Sequence, residues 1–109
     1  YDGSCALGPG ILLCDAGDMR DLPVSLSIAR GGRVVFEGGT RTSMMKRTLE
    51  DLVAFLGREL ALPRGALLMT GTGIVPPPEF SLQKADRVRI AIGELVLEND
   101  VDPAPRSRE

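Results

Sequence analysis

Polar and apolar positions alternate most regularly in two parts of the chain. Val24-Ser25-Leu26-Ser27-Ile28-Ala29-Arg30 has period two, the pattern of a strand with one buried face. Gly31-Gly32 follows, a dipeptide free to take the positive φ angles of a two-residue hairpin turn, and Arg33-Val34-Val35-Phe36-Glu37 returns as the second strand. Arg87-Val88-Arg89-Ile90-Ala91-Ile92 alternates charge with aliphatics in the same way. Gly93-Glu94 turns it into Leu95-Val96-Leu97-Glu98-Asn99, a second hairpin. Ile11 to Cys14 and Ala66 to Met69 are short apolar runs that read as two further strands, the latter buried.

One segment has helical spacing. Leu49, Leu52, Val53, Leu56 and Leu60 share a face, while Glu50, Asp51, Arg58 and Glu59 point elsewhere. Thr48 is the expected N-cap, acids occupy the first turn, and Pro63 with Gly65 ends the helix. About six short strands and one helix, without a βαβ rhythm, predict a mainly β, α+β fold whose sheet is mostly antiparallel. The remaining stretches read as connections: Gly8-Pro9-Gly10, the polar loop Asp15 to Asp21, and Gly38 to Ser43. Met44 and Met45 read as core filler, and Phe80-Ser81-Leu82 as an anchor between loops. Residues 1–101 form the expected domain. Asp102 to Glu109 offers nothing to bury and reads as a disordered tail.

Composition narrows the function classes. With 109 residues the chain is one domain at most, and with 4% aromatics and no Trp its core must be aliphatic. A net charge of −2 gives no electrostatic reason to expect nucleic acid or an anionic membrane as partner. No apolar run approaches the ~20 residues that span a bilayer, and no signal peptide is visible. The chain opens on Tyr1 rather than Met, which points to a piece of a longer protein. The absence of histidine removes Cys-His and Ser-His-Asp catalysis and the usual zinc sites. Cys5 and Cys14 lack a CxxC spacing and sit beside apolar residues, so they are expected to be buried, free thiols of a cytoplasmic protein.

The stretch with most chemical promise is Thr70-Gly71-Thr72-Gly73, set between the apolar run and Pro76-Pro77-Pro78. Two hydroxyls between glycines can bring Oγ atoms and backbone N–H groups up to a small anion such as a carboxylate. The same residues also suit a tight turn in which Thr70 and Thr72 only cap the backbone. The motif by itself does not choose between them.

Asp2-Gly3-Ser4-Cys5-Ala6-Leu7-Gly8-Pro9, then a hairpin, a Thr-rich loop and a helix, then Leu68-Met69-Thr70-Gly71-Thr72-Gly73-Ile74-Val75-Pro76, together resemble the C-terminal half of the fumarylacetoacetate hydrolase family. Within it the chain is most similar to the sugar-acid dehydratase-like branch, which includes 2-keto-3-deoxy-arabinonate dehydratases. The resemblance spans residues 1–101. It implies a mixed β-roll, a homodimer when full length, and Mg²⁺ (or Mn²⁺ or Ca²⁺) held by two Glu and one Asp. The cation would chelate a 2-keto acid, with a lysine nearby. It also implies that Thr72, with Gly71 beside it, binds the substrate carboxylate.

The departures from the family pattern matter as much. The family's acidic ligands and lysine lie upstream of its Gly-Pro segment, the lysine just before the position of Tyr1, so the metal ligands and catalytic residues are expected outside this chain. Glu50-Asp51, and Asp15 with Asp18, read as helix-start and loop acids rather than ligands. The family's Pro-Gly-Asp stands here as Pro63-Arg64-Gly65-Ala66, and its later Gly-Asp as Lys84-Ala85-Asp86. Three functions follow: the C-terminal part of a metal-dependent lyase of 2-keto-3-deoxy sugar acids, part of a hydrolase cleaving a C–C bond of an acylpyruvate, or a non-catalytic β domain for assembly. In the first two, these 109 residues alone are expected to be inactive and marginally stable.

Overall fold

A computed structural model describes residues 5–102. Its centre is a four-stranded antiparallel sheet with strand order β2-β1-β3-β4, built from β1 (Pro23–Arg30), β2 (Arg33–Arg41), β3 (Arg87–Ile92) and β4 (Leu95–Asp100). A single helical turn, α1 (Ala16–Met19), precedes the sheet. A 3₁₀ turn (Thr42–Met44) and α2 (Leu49–Leu56) follow β2. Both expected hairpins are present. Gly31 and Gly32 have φ of 59° and 78°, the pair of positive values that matches the twist of the flanking strands. Gly93 opens the second turn at φ 56°, with Ile92 opposite Leu95.

Register sorts the side chains into two faces. Thr40, Val24, Ile92 and Leu95 form one cross-sheet row; Gly38, Leu26, Ile90 and Leu97 the next; Phe36, Ile28 and Val88 the third. This face is the apolar one, and Ile28, at 3% exposure, lies at its centre. The opposite face carries Arg89 opposite Glu98 (3.1 Å) and Arg87 opposite Asp100 (3.0 Å), exposed ion pairs that keep the edge wet. Between Ile28 and Ala29 the register slips, leaving Val35 as the extra residue of a β-bulge.

Four sequence expectations change. Gly38 to Thr40 are not loop: β2 runs on to Arg41, because β1 offers ladder partners back to Pro23. Ile11 to Cys14 and Ala66 to Met69 are not strands but irregular and exposed, so the sheet has four strands rather than six. An apolar run becomes a strand only where it pairs with another strand, and among the described residues neither run does so. The helix stops at Leu56, capped by Gly57, because nothing packs on the continuation through Leu60. Cys5 and Cys14 are free but exposed rather than buried. Of the expected tail, Asp102 is exposed and 103–109 lie outside the described residues, as do Asp2 to Ser4. No helix among the described residues is long and apolar enough to cross a membrane.

Packing on the apolar face is incomplete. Among the described residues, Ile28 and Ile74 are the buried aliphatics, while Phe55, Leu67 and Met69 stay exposed. The chain presents 9343 Å² to solvent, where a compact monomer of this mass exposes about 5,800 Å².

The tightest local structure surrounds Asp86, whose side chain is excluded from solvent. Arg30 Nε and Nη2 donate to Oδ1 and Oδ2 at 2.9 Å each, and the Gln83 N–H donates to Oδ2 at 2.9 Å. Arg30 also donates to the Ser81 carbonyl (3.2 Å) and lies over the Phe80 ring, which packs against Phe36. Ala85 N–H donates to the Val101 carbonyl and Val101 N–H to the Asp86 carbonyl, both at 2.8 Å, so the same corner closes the end of β4. Ala85 holds φ at 70°, a left-handed value, at the position where the family resemblance expects glycine.

Two outcomes follow. Ala85→Gly is expected to raise stability by roughly 0.5–1 kcal/mol, the left-handed penalty of about 1–2 kcal/mol less the added freedom of unfolded glycine; a urea melt checks it. The Arg30 pair, then the Gln83 N–H, hold the Asp86 carboxyl below its ordinary value against the opposing effect of burial. A lowered folded pKa gives stability that is full above the unfolded value, about 3.9, and is lost as pH falls through the lower folded value. Melts stepped from pH 7 to pH 2 are therefore expected to weaken from about pH 4 downward, with a smaller decline in Asp86→Asn.

Candidate functional site

A cleft of about 400 Å³ opens at the end of the sheet where β1 begins and β2 and β3 end. Its floor is the cross-sheet row Val24, Thr40 and Ile92. One wall is Thr70-Gly71-Thr72-Gly73. The other is the connection from β2 to α2, with Arg41, Thr42, Met44, Met45, Lys46 and Arg47, backed by Leu52. The structure thus brings the sequence-predicted residues Thr72 and Gly71 into a concave site, together with Thr70.

Ile74 fixes the first wall. It is 9% exposed and sits against Gly38, where a β-carbon would lie 2.8 Å from Ile74 Cγ2. The bare backbone of β2 at Gly38 is therefore the seat of the loop, and a β-carbon added at Gly73 would meet Thr40 at ordinary contact distance. Gly71 adopts φ 85°, open only to glycine without strain. Thr72 Oγ1 accepts the Ile74 N–H at 3.0 Å and donates to the Ile74 carbonyl at 3.3 Å. The capping geometry anticipated from sequence is thus present, and it holds the Thr72 hydroxyl in the cleft wall.

Thr42 fixes the second wall. Its hydroxyl accepts the Leu22 N–H (2.8 Å) and donates to the Met19 carbonyl (2.7 Å), while its own N–H donates to the Leu22 carbonyl (2.9 Å). Arg41 Nε and Ser43 Oγ both donate to Asp21 Oδ1 at 2.7 Å, and these contacts, Arg41 first, lower the Asp21 carboxyl below its usual range. Thr48 caps α2 by accepting the Asp51 N–H, as expected. Leu49, Leu52 and Leu56 are half-buried, whereas Val53 is exposed rather than on the packed face. Met44, at 74% exposure, and half-buried Met45 line the cleft instead of filling a core.

Electrostatically the site is one-sided. Arg41, Lys46 and Arg47 line it, and among the described residues no carboxylate does. An apolar floor, hydroxyls and three cations suit a small organic anion. Sequence pattern alone does not single out these cations; the Lys46-Arg47 dipeptide just before a helix cap is the one local signal of them. Among the described residues, no three Asp, Glu, Cys or His side chains come together to hold a metal ion. The donor set in this cleft does not fit a hard divalent cation, which takes carboxylate and carbonyl oxygens.

Comparison with known proteins agrees with the fold. The family profile of the fumarylacetoacetate (FAA) hydrolase C-terminal region matches residues 1–102, and the chain belongs to that family. A probable 2-keto-3-deoxyxylonate dehydratase of Haloferax volcanii is 38% identical over 103 residues, 93% of this chain and 36% of the relative. A 2-dehydro-3-deoxy-D-arabinonate dehydratase of Saccharolobus solfataricus is 40% identical over 96 residues, 87% of this chain and 32% of that protein. The solved structure of a 2-keto-3-deoxy-D-arabinonate dehydratase complexed with magnesium and 2,5-dioxopentanoate superposes with a TM-score of 0.89 at 37% identity, covering 97% of this chain and 38% of that one. The chain spans about a third of the length of these curated relatives.

The seat of the loop can be tested directly. Gly38→Ala is expected to cost about 1–3 kcal/mol by overpacking against Ile74 and to shift the Gly71 and Thr72 amide resonances. Gly39→Ala, whose β-carbon meets Val24 O at an ordinary 3.6 Å, is expected to change neither.

Proposed function

We propose that this chain forms the C-terminal, substrate-binding portion of a divalent-metal-dependent lyase of the dehydratase type, acting on a 2-keto-3-deoxy sugar acid or a related 2-keto acid. Thr72, with Gly71, takes the substrate carboxylate. The observation that carries the reading is the cleft itself: the Thr70–Gly73 wall faces three cations across a largely apolar floor, with no carboxylate among the described lining residues to repel an acid. The names of the dehydratase relatives support the reaction class, and the magnesium complex supports a divalent cation. The presence of a cleft at Thr72 favours substrate binding over a role in assembly alone.

In this reading each part of the chain has a limited task. The Thr72 hydroxyl keeps accepting the Ile74 N–H and, when substrate binds, turns its proton from the long 3.3 Å bond to the Ile74 carbonyl toward a carboxylate oxygen. Gly71 lets the backbone come close without a side chain in the way. Val24 and Ile92 give the carbon skeleton an apolar floor and reduce competing water. We place the magnesium ligands and the lysine implied by the resemblance in parts of the protein outside these 109 residues. The full-length protein is read as a cytoplasmic homodimer.

The test is steady-state kinetics of the full-length protein on a 2-keto-3-deoxy sugar acid. Thr72→Ala is expected to raise KM roughly tenfold or more, the loss of one hydrogen bond to a charged group, while Thr72→Ser stays near the parent. An unchanged KM in Thr72→Ala, with the fold intact by circular dichroism, sinks the assignment.

A further inference from the structure

Three cations line the cleft, but two of them are committed within the protein. Arg41 donates through Nε to Asp21 Oδ1 at 2.7 Å and through Nη2 to the Asp21 carbonyl at 3.1 Å. The Arg47 guanidinium lies 5.4 Å from the centroid of the Phe55 ring, flanked by Arg58 at 5.2 Å from the same ring. Lys46 has no such engagement. Among the described residues no carboxylate stands within salt-bridge distance of its ammonium, although it lines the same cleft as Thr72 and Gly71, on the facing wall.

The backbone on both sides of Lys46 is tied down. Met45 N–H donates to the Thr42 carbonyl at 3.2 Å, closing the 3₁₀ turn, and two residues after Lys46 Thr48 caps α2. Its Cα is thus fixed at the cleft wall while the four-carbon stem leaves the ammonium free to adjust. A lysine ammonium is a compact charge with three donors, able to meet a carboxylate from a range of angles. Thr72 supplies a neutral donor, which orients a carboxylate but does not balance its charge.

We propose that Lys46 is a further carboxylate-binding residue, the charge partner of the 2-keto acid carboxylate that Thr72 and Gly71 orient from the opposite wall. This deepens the proposed function and rests on its placement of the carboxylate in the cleft. Lys46 contributes to recognition of the acid as an anion and takes no proton in the reaction.

Pyruvate and its uncharged amide, pyruvamide, separate charge recognition from folding, with calorimetric titration of each into the magnesium-loaded full-length protein as the readout. Lys46→Met is expected to weaken pyruvate roughly tenfold and to leave pyruvamide within twofold, and Lys46→Arg to restore most of the pyruvate affinity. Thr72→Ala is expected to weaken pyruvate as well. If Lys46→Met binds pyruvate like the parent while Thr72→Ala does not, the role of Lys46 is overturned and the carboxylate site at Thr72 stands. An equal loss for pyruvate and pyruvamide in Lys46→Met overturns it too, since a structural role ignores charge. Pyruvate binding insensitive to both variants, or absent from the parent, overturns the carboxylate site and this inference together.

Discussion

Much of the organisation of this chain depends on one buried ion pair. Asp86 is excluded from water, and a buried carboxylate persists only when its charge and lone pairs are met. Arg30, at the end of β1, meets both oxygens, and the Gln83 N–H meets one again. That requirement joins segments far apart in sequence: the β1 end, the Ser81–Gln83 connection, the start of β3 and, through Val101, the end of β4. Arg30 in turn covers Phe80, which closes over Phe36 of β2. The pair is weak grounds for great stability, since apolar replacements often serve as well. Its effect is to fix which segments meet.

The opposite end of the same face is organised by an absence. Gly38 removes one side chain from an otherwise filled row, and Ile74 occupies the space. The loop that follows from this seat carries Thr70 to Gly73 along the cleft. Thr42 anchors the facing wall with three hydrogen bonds to the Met19–Leu22 segment. Two rigid walls around an apolar floor give preorganised donors, which lowers the cost of binding a small acid. The rest of the apolar surface, from Phe55 to Met69, stays exposed, so these residues supply half of a packing problem.

Residue patterns captured the strands with a regular alternation and a suitable turn. Both hairpins, the Gly31-Gly32 turn and the Thr48 cap are local events, set by period two, by glycine's tolerance of positive φ and by a side-chain acceptor. The apolar runs Ile11–Cys14 and Ala66–Met69 misled because hydrophobicity marks a demand for burial without naming the partner that meets it. The helix was overextended through Leu60 for the same reason: its length is decided by what packs on it. Lys84-Ala85-Asp86 departs from a glycine pattern in the sequence, but only the tertiary fold holds that alanine at φ 70° beside a buried acid.

By itself the sequence determined the α+β class, the two hairpins, the lack of histidine in these residues and the capped turn at Thr70-Gly71-Thr72-Gly73, because each depends on residues adjacent in the chain or on composition. Tertiary structure decided which cations stand near Thr72, which of them are already engaged, and that Gly38 seats the loop. Apart from the local stacking of Arg47 on Phe55, those facts depend on contacts between segments distant in the chain, for which charge and hydropathy along the sequence carry no register. A strand pairing shifted by one residue would turn Gly38, Thr40 and Val24 to the other face and leave the same sequence without the cleft.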